Sequence, residues 1–436
     1  MPLRLEASQD GFHQSFETFL AERREAAVDV RDDVARIVAQ VKAEGDAALI
    51  ALTAKYDRLE LSADRLRVSA AEISAARDSC SAEAIAALET ARARIIAYHE
   101  RQKPEDFDYV DDTGVRLGSI WRAVSAAGLY VPGGTAAYPS SVLMNAVPAR
   151  VAGVERLVMV VPSPDGVLNP LVLAAADIAG VDEVYRVGGA QAVAALAYGT
   201  ETIAPVDKIV GPGNAYVAEA KRQVFGVVGI DMIAGPSEIL VVSEAGADPE
   251  WIAADLLSQA EHDRVAQSIL ITDDAGFADA VAEAVAHQIP ELPRHEIARE
   301  SWEKYGSLIV VDDMESALPL IDRIAPEHLE LVTPGAEALA ERIRNAGAMF
   351  LGPYAPEVLG DYLAGPNHVL PTSRTARFSS GLGVLDFMKR TSMFSANAES
   401  FGKLAQPAMT LARAEGLEAH ARAVEIRVAG TDDERR

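Results

Sequence analysis

The stretch from Arg156 to Gly189, RLVMVVPSPDGVLNPLVLAAADIAGVDEVYRVGG, decides the fold class of this chain. It begins with a short apolar run, continues into an alanine-rich helical segment and ends in a second β-rich run. A strand, a helix and a second strand in this order predict a βαβ unit with parallel strands. The fold class that we expect is therefore α/β.

The same alternation extends over much of the chain from about residue 126. Runs such as KIVGPGN, EILVVSE, SILITDD and SLIVVDD are separated by helical segments such as NAYVAEAKRQVFG and AGFADAVAEAVAHQI. The first ~115 residues instead carry apolar side chains at the helical period. The segment after about residue 380 is also helical and more polar. We therefore expect parallel-sheet domains with helical segments at both ends.

Composition narrows the classes of partner. The chain has 436 residues, with 65 Asp and Glu against 40 Lys and Arg, and a formal net charge of -25. No basic run stands out, so neither nucleic acid nor an anionic membrane surface is expected as a partner. A single cysteine, Cys80, excludes an intrachain disulfide and favours a reducing compartment. Without an apolar leader or a membrane-length apolar run, we expect a soluble, cytoplasmic protein.

The stretch IAPEHLELV, residues 324–332, places a glutamate and a histidine side by side after a proline. Pro326 disfavours helix directly before it, and the alternating apolar residues that follow predict a short buried strand. Neighbouring side chains in extended chain point to opposite faces, so Glu327 and His328 are not expected to form one hydrogen-bonded dyad. Two proton-handling groups with different directions therefore lie at a strand end.

The segment SQAEHD, residues 258–263, ends a predicted helix that Asp248 opens as N-cap and Pro249 as first residue. Gln259 and His262 lie three residues apart and share one helix face, where an amide oxygen and an imidazole could bind a divalent metal. Taken alone, the segment is explained more simply as a solvated helix end. The helix dipole favours a histidine at this end.

Two later segments add two carboxylates and two imidazoles. In LGDYLAGPNHVLPT, Asp361 and His368 flank a Gly-Pro turn, and in EGLEAHARAVEIR, His420 lies on a predicted helix five residues after Glu415. Turn chemistry and an amphipathic surface helix also explain these segments. Together with the pair in SQAEHD, Asp361 and His420 give a nitrogen and oxygen ligand set that suits zinc, although the spacing matches no metal motif.

The nucleotide-binding signal is weak, because no GxGxxG follows a predicted strand. Glycine pairs do follow strands in GLYVPGG, at Gly133 and Gly134, and in VGGAQAVAALA, at Gly188 and Gly189. Glycines at such places let the backbone approach a phosphate beside a helix N-terminus. The turns GPGN, GPSE and GPNH mark further places to look for a site, since ligands of open α/β sheets lie outside strand ends. Simple turns explain such pairs about as well.

Taken in order, these motifs resemble the histidinol dehydrogenase family. The resemblance runs from about Arg122 to Arg427 and is carried by GLYVPGG, YPSSVLMNAVPA, VGGAQAVAALAYGT, KIVGPGNAYVAEAKRQV, IAGPSEILV, DLLSQAEHD, APEHLEL, GDYLAGPNHVLPT and EGLEAHARAV. It implies an NAD-dependent oxidation of L-histidinol to L-histidine through L-histidinaldehyde, in two hydride transfers. These are the final steps of histidine biosynthesis.

The resemblance also implies roles for particular residues. One zinc ion per subunit would be held by Gln259, His262, Asp361 and His420. Substrate contacts would fall on Ser237, Gln259, His262, His328, Asp361, Glu415 and His420, and NAD contacts on Tyr130, Gln191 and Asn214. His328 would take the hydroxyl proton while hydride leaves, and Glu327 would activate the water that hydrates the aldehyde.

The domain plan follows from the resemblance as well. An N-terminal helical arm, 1–25, would come first. An incomplete Rossmann-like domain would follow, formed by residues 26–127 and 240–380, with its helical part in 26–127. A second Rossmann-like domain, 128–239, would bind NAD. A helical tail, 381–436, would be exchanged in a homodimer with shared active sites, so that its Glu415 and His420 serve the neighbouring subunit.

Three other functions are alternatives to this interpretation. An aldehyde dehydrogenase would need a cysteine nucleophile, but Cys80 lies in an alanine-rich helical stretch without a base nearby in sequence. A paralogue would oxidise another small polar alcohol with the same machinery, and the intact EGLEAHA segment argues against it. A non-catalytic binding or scaffold protein would be expected to lack one of the catalytic or ligand residues, all of which are present.

Overall fold

The computed structural model describes residues 2–21, 30–133 and 138–433. Gly134 of the GLYVPGG motif lies outside these residues, as do the end of the expected N-terminal arm and the last three residues of the tail. The chain divides into two compact units, Met1–Gln102 with Ser125–Phe387, and Lys103–Val124 with Met388–Arg436. Within the described ranges, none of the helices combines the length and apolar character that crossing a bilayer requires.

Strands and helices alternate along most of the first unit. The strands and helices of both units, numbered together along the chain, have the following bounds. The strands are β1 (Leu3–Glu6), β2 (Phe107–Val110), β3 (Arg116–Ala123), β4 (Ala126–Tyr130), β5 (Arg156–Val160), β6 (Glu183–Tyr185), β7 (Lys208–Val210), β8 (Gly229–Ile230), β9 (Glu238–Ser243), β10 (Gln267–Thr272), β11 (Ser307–Val310), β12 (His328–Val332), β13 (Ala348–Leu351) and β14 (Met388–Ser395). The helices are α1 (Phe12–Ala21), α2 (Arg31–Glu44), α3 (Asp46–Asp57), α4 (Ala70–Ser79), α5 (Ala82–His99), α6 (Pro139–Ala152), α7 (Pro170–Ala179), α8 (Gly189–Tyr198), α9 (Ala215–Val224), α10 (Pro249–Ala260), α11 (Ala275–Gln288), α12 (His295–Tyr305), α13 (Met314–Ile324), α14 (Ala336–Ala340), α15 (Glu357–Tyr362), α16 (Ala398–Ala414) and α17 (Glu418–Asp433). Short 3-10 helices lie at Ala63–Arg65, Glu100–Gln102, Pro164–Gly166, Ile289–Glu291, Thr375–Arg377 and Val384–Phe387.

The larger sheet of the first unit has six parallel strands in the order β1-β11-β10-β9-β12-β13. The chain builds outwards from β9 through β10 to β11, and then continues on the other side of β9 with β12 and β13. Alternate residues of β9 enter two different cores: Ile239 packs with α10, α11 and α12, and Leu240 packs with α1, α13 and α14. Because both faces are covered, the strands read as continuous apolar runs.

The smaller sheet has five parallel strands in the order β6-β5-β4-β7-β8. Its connectivity reverses between β4 and β7, and α8 and α9 pack on one face. Helices α6 and α7 contact α5 and α4 in a separate layer. The βαβ unit expected at 156–189 is β5, α7 and β6, so the predicted α/β class with parallel sheets is confirmed.

Three details of the domain plan differ from the sequence expectation. Residues Leu3–Glu6 of the expected helical arm form an edge strand of the larger sheet, paired with β11. Helices α2 and α3, expected with residues 240–380, share a core with α8 and α9 on the smaller sheet. Strand β14 lies within the tail that was expected to be helical. Apolar spacing shows which face of a segment is buried, but not which surface buries it.

The second unit contains a three-stranded antiparallel sheet in the order β14-β3-β2. Strand β14 pairs with β3 along its whole length, from Met388 opposite Ala123 to Ser395 opposite Arg116. Helices α16 and α17 pack against one another. Gly416, in the left-handed region at φ +75°, separates the two helices.

Candidate active site

The backbone of Glu238, the first residue of β9, organises the candidate site. Its N–H donates to Oε2 of Glu327 at 2.9 Å, and its carbonyl oxygen accepts from Nδ1 of His328 at 2.9 Å. Strand β12 lies directly beside β9, with His328 opposite Ile239, which brings these groups together. The backbone of one residue of β9 therefore holds both neighbouring side chains at the start of β12.

Glu327 and His328 form no hydrogen bond with each other, because Nδ1 and Oε2 lie 3.8 Å apart. The expectation that these neighbours make no dyad is confirmed. Since Nδ1 must carry the proton that it donates to a carbonyl, a neutral His328 has its lone pair on Nε2. Both residues are buried, 5% and 4% exposed.

The turn before Glu327 is fixed by the backbone. Ala325 ends α13 in the left-handed region, at φ 48°, a conformation that costs a non-glycine residue about 1–2 kcal/mol. Pro326 follows it and excludes a helical continuation. A Cβ on Gly347 would lie 2.5 Å from the Glu327 carbonyl, so the neighbouring chain can pass only because that residue is glycine. These constraints place Glu327 at the entry to β12.

Two carboxylates lie beside Nε2 of His328. Oε1 of Glu357 is 3.5 Å away and Oδ1 of Asp361 is 3.7 Å away, and Nε2 has no hydrogen-bond partner among the described residues. Glu357 and Asp361 are four residues apart on α15 and therefore share a face. One ligand atom from each of these three residues falls within a 4.8 Å span, which is compatible with a bound cation.

Burial and charge shift the protonation of this cluster. Burial raises the pKa of Glu327 to about 8, although the charge of His328 partly offsets it. Burial alone would lower the pKa of His328, but the carboxylates of Glu357 and Glu327 raise it well above its usual value. Burial also raises the pKa of Glu357. Glu327 is thus a stronger base than an ordinary carboxylate, and His328 is a stronger base than an ordinary imidazole.

The end of helix α10 brings the next expected ligands to the same place. Asp248 caps the helix by accepting from the Glu250 N–H at 3.0 Å, and Pro249 is its first residue, as predicted. Gln259 is 1% exposed. His262 is exposed, two residues beyond the last residue of α10, and its N–H donates to the Gln259 carbonyl at 3.1 Å.

Helices α10 and α15 are joined at this point. The hydroxyl of Ser258 donates to Oε2 of Glu357 at 3.0 Å, so the last turn of α10 meets the first turn of α15. The Oε1 atom of Gln259 is buried and has no hydrogen-bond partner within the described part of the chain. A buried amide oxygen without a partner is unfavourable, and a cation would satisfy it. The nitrogen and oxygen donors here fit zinc or a similar divalent ion.

His368 and Ser237 border the same cluster. Nδ1 of His368 donates to the backbone carbonyl of Asp361 at 3.0 Å, and Nε2 lies 3.4 Å from the Ser141 hydroxyl. Ser141 belongs to α6, which packs with helices of the smaller-sheet half, so His368 connects the two α/β halves here. Ser237 directly precedes Glu238 and therefore lies at the entry to β9.

The site lies at the amino edge of the larger sheet, since Glu238 and His328 are the first residues of their strands. Ligands of open α/β sheets usually lie at the carboxyl edge. The GPSE turn accordingly ends a loop and runs directly into β9. Helix α10 runs back from the carboxyl edge, so its last turn reaches the amino edge.

The residues expected to contact NAD lie at the carboxyl edge of the smaller sheet. Tyr130 ends β4, and its hydroxyl accepts from the Gly189 N–H at 3.0 Å. Gln191 lies in the first turn of α8 and is buried. Asn214 caps α9 by accepting from the N–H groups of Tyr216 and Val217 at 3.1 and 3.2 Å. Tyr130 and Asn214 flank the reversal between β4 and β7, the usual nucleotide position in such sheets.

The two expected residues of the tail lie in the second unit. Glu415 follows the last residue of α16, and His420 lies in the first turn of α17. The prediction that His420 lies on a helix after Glu415 is confirmed. Gly416 lies between the two helices, directly after Glu415. The first unit itself assembles Glu327, His328, Asp361 and the end of α10.

Sequence reasoning missed three carboxyl groups in and around the site, two of them buried and one partly buried. Glu357, described above, is one of them; its spacing to Asp361 after Pro356 was the available signal. Glu330, 1% exposed, accepts from the Glu357 N–H at 2.5 Å and lies beside Asp255 of α10. Burial raises the pKa of Asp255 to about 6 and that of Glu330 well above its usual value. A glutamate between two leucines of the predicted buried strand HLELV could have indicated a buried carboxyl group here.

The comparisons with known proteins agree with this geometry. Residues 20–428 match the family model described as Histidinol dehydrogenase. The chain is 64% identical to the histidinol dehydrogenase of Rhodospirillum rubrum over 429 residues, covering 98% of this chain and 99% of that protein. It is 61% identical to that of Mesorhizobium japonicum over 428 residues, covering 98% and 100%. The crystal structure of histidinol dehydrogenase from Elizabethkingia anophelis superposes with a TM-score of 0.94 at 35% identity, covering 99% of each chain. The chain therefore belongs to the histidinol dehydrogenase family of oxidoreductases.

Proposed function

We propose that this chain oxidises L-histidinol to L-histidine through L-histidinaldehyde, with NAD as the oxidant, in the final steps of histidine biosynthesis. The observation that carries the proposal is the tautomer of His328. Its Nδ1 hydrogen is donated to the Glu238 carbonyl. In the neutral imidazole, the buried Nε2 therefore carries the lone pair and can act as a base beside Asp361. Histidinol is proposed as the substrate because the relatives are named histidinol dehydrogenases.

His328 acts in the first oxidation. Its Nε2 accepts the hydroxyl proton of the alcohol while the C–H electron pair leaves as hydride, which converts the carbinol to the aldehyde. The nearby carboxylates of Glu357 and Glu327 stabilise the imidazolium that results. The Glu238 carbonyl keeps the ring oriented during the transfer.

Glu327 acts between the two oxidations. Its Oε2 is anchored by the Glu238 N–H, and burial makes the carboxylate a stronger base than usual. It takes a proton from the water that adds to the aldehyde carbon, while His328 returns its proton to the aldehyde oxygen, which gives the hydrate and leaves His328 neutral. His328 then accepts a hydroxyl proton of the hydrate as the second hydride leaves, and the product is the carboxylic acid.

The donors present fit the two groups that this chemistry requires. Bound NAD would supply the hydride acceptor, and one zinc ion per subunit would supply positive charge that helps to orient the substrate. Gln259, His262, Asp361 and His420 would hold the ion. Tyr130, Gln191 and Asn214 would contact NAD, and Ser237 and Glu415 would join the ion ligands and His328 in contacting the substrate.

We propose that the enzyme is a cytoplasmic homodimer with shared active sites. The unit that contains the tail exposes large apolar side chains, including Leu411 at 65% and Phe394 at 67%. Exposed apolar groups in such numbers are typical of an interface. In this arrangement Glu415 and His420 of one subunit complete the site of the other, and the half that contains the smaller sheet, which includes α2 and α3, binds NAD.

Two other activities are less well supported. Aldehyde dehydrogenase chemistry needs a reactive thiol, but Cys80 ends α4 and its Sγ donates to the Ala76 carbonyl at 3.3 Å. A paralogue that oxidises another small polar alcohol would use the same bases, and only substrate tests separate it from the proposal.

The test is the yield of NADH from purified, zinc-loaded protein. We expect two NADH and one histidine for each histidinol consumed. A yield of one, with aldehyde accumulating, would contradict the two-step oxidation. Turnover of another amino alcohol without turnover of histidinol would identify the paralogue.

A further inference from the structure

A buried ion pair lies behind the turn that joins β7 to α9. Lys221 of α9 and Asp231, which follows β8, form a salt bridge, with side chains 3% and 1% exposed. The GPGN turn, residues 211–214, connects Gly211 at the end of β7 to Asn214 at the start of α9. We refer to residues 211–214 as the cofactor loop.

The ion pair holds both peptide groups of one residue. Nζ of Lys221 donates to the Gly211 carbonyl at 3.0 Å, and the Gly211 N–H donates to Oδ2 of Asp231 at 2.7 Å. An apolar pair of the same size could satisfy neither group, whereas a cation and an anion satisfy both and each other. The pair therefore fixes the direction in which the cofactor loop leaves β7.

The loop has little freedom on its other side. Gly211 has φ +111°, and a Cβ there would lie 2.1 Å from the carbonyl oxygen of Tyr130. The Tyr130 hydroxyl in turn accepts from the Gly189 N–H. Small displacements of Gly211 would therefore move Tyr130 and Asn214, which flank the reversal in the smaller sheet.

We propose that Lys221 and Asp231 are positioning residues for dinucleotide binding: they set the cofactor loop so that Tyr130 and Asn214 meet the nucleotide. This inference rests on the proposed NAD dependence. Buried ion pairs seldom stabilise a fold more than apolar residues of equal volume. The pair is therefore better explained by the loop that it holds than by a contribution to stability.

The test compares two double variants of the zinc-loaded enzyme. Lys221→Met with Asp231→Asn removes the charges but keeps an acceptor for the Gly211 N–H. The matched control is Arg156→Met with Glu183→Gln, which removes an ion pair of 2.6 Å at the opposite edge of the same sheet. Calorimetric titration with NAD gives Kd, steady-state kinetics give both KM values, and thermal melts report folding.

We expect the first variant to raise the Kd and KM for NAD about tenfold, the effect of losing about one hydrogen bond to a charged group. The KM for histidinol and the zinc content should stay unchanged, and the control should bind NAD within about twofold of wild type. An unchanged Kd in the folded first variant overturns the proposal, and so does an equal loss in the control.

A second variant covers the case in which the first does not fold. Lys221→Arg keeps the charge but moves the donor away from the Gly211 carbonyl, and it should also weaken NAD binding, by about threefold or more. Wild-type affinity in this variant would overturn the proposal. Wild-type enzyme that binds no NAD at all would instead refute the proposed cofactor, so the two failures are distinguishable.

Discussion

His328 donates its Nδ1 hydrogen to the carbonyl oxygen of Glu238 at 2.9 Å, across the pairing of β12 with β9. The N–H of the same glutamate binds Glu327. Two neighbouring bases are thus held by the backbone of one residue, with Nδ1 of His328 and Oε2 of Glu327 3.8 Å apart. The arrangement leaves each base free for its own proton, which is the basis of the first prediction.

His328→Asn should slow both oxidations, by about 10²–10⁴-fold, the usual contribution of a general base. Glu327→Gln should chiefly slow the aldehyde step, since glutamine still accepts from the Glu238 N–H but cannot take a proton from water. Rapid-mixing measurements of NADH, started from histidinol and from histidinaldehyde, separate the steps. Equal losses for Glu327→Gln in both assays would contradict this division, and Glu337→Gln on the surface of α14 is the control.

The wild-type enzyme should contain one divalent metal per subunit. His262→Asn or Asp361→Asn should weaken zinc binding by about 10–100-fold or more, because each removes a ligand. Metal analysis after dialysis against a chelator measures this, with His287→Asn, an exposed histidine of α11, as control. Full zinc content in His262→Asn would remove that residue from the site. Glu357→Gln should keep its zinc, and loss of the metal there would place the ion between His328 and α15.

A shared site predicts complementation between two inactive variants. His420→Asn and His262→Asn should each be inactive alone. After subunit exchange, a mixed dimer carries both lesions in one site and none in the other, so activity should return towards half per mixed dimer. A mixture that stays inactive after exchange, as shown by differently tagged subunits, would mean that each subunit builds its own site.

The carboxyl pair of Asp255 and Glu330 predicts a pH dependence of stability. The pKa of Asp255 rises from 3.8 to about 6, mainly through burial, and that of Glu330 is raised as well. The folded state then binds more protons than the unfolded state, so the free energy of unfolding falls as pH rises from about 4 to about 6. Asp255→Asn should flatten this fall, measured as Tm at several pH values. Asp64→Asn, on an exposed 3-10 helix, should keep the wild-type slope, and an unchanged slope in Asp255→Asn would refute the assignment.

Local patterns were enough to determine the secondary structure around the site. The proline and the alternating residues of IAPEHLELV predicted a turn and then a strand, and β12 begins at His328. The cap at Asp248 predicted the start of α10. Dihedral preferences, capping and apolar periodicity act over a few residues, so the sequence contains them directly. The resemblance to the histidinol dehydrogenases was readable for a similar reason, because short ordered motifs carry it.

Only the tertiary structure decided which segments meet. Glu238 and His328 are ninety residues apart and come together because β9 and β12 are neighbours in the sheet, an order that no local pattern specifies. The packing of α2 and α3 on the smaller sheet, and the position of Glu357 beside His328, follow from the same assembly. Apolar periodicity shows that a face must be buried, whereas the surface that buries it depends on how all the elements pack together.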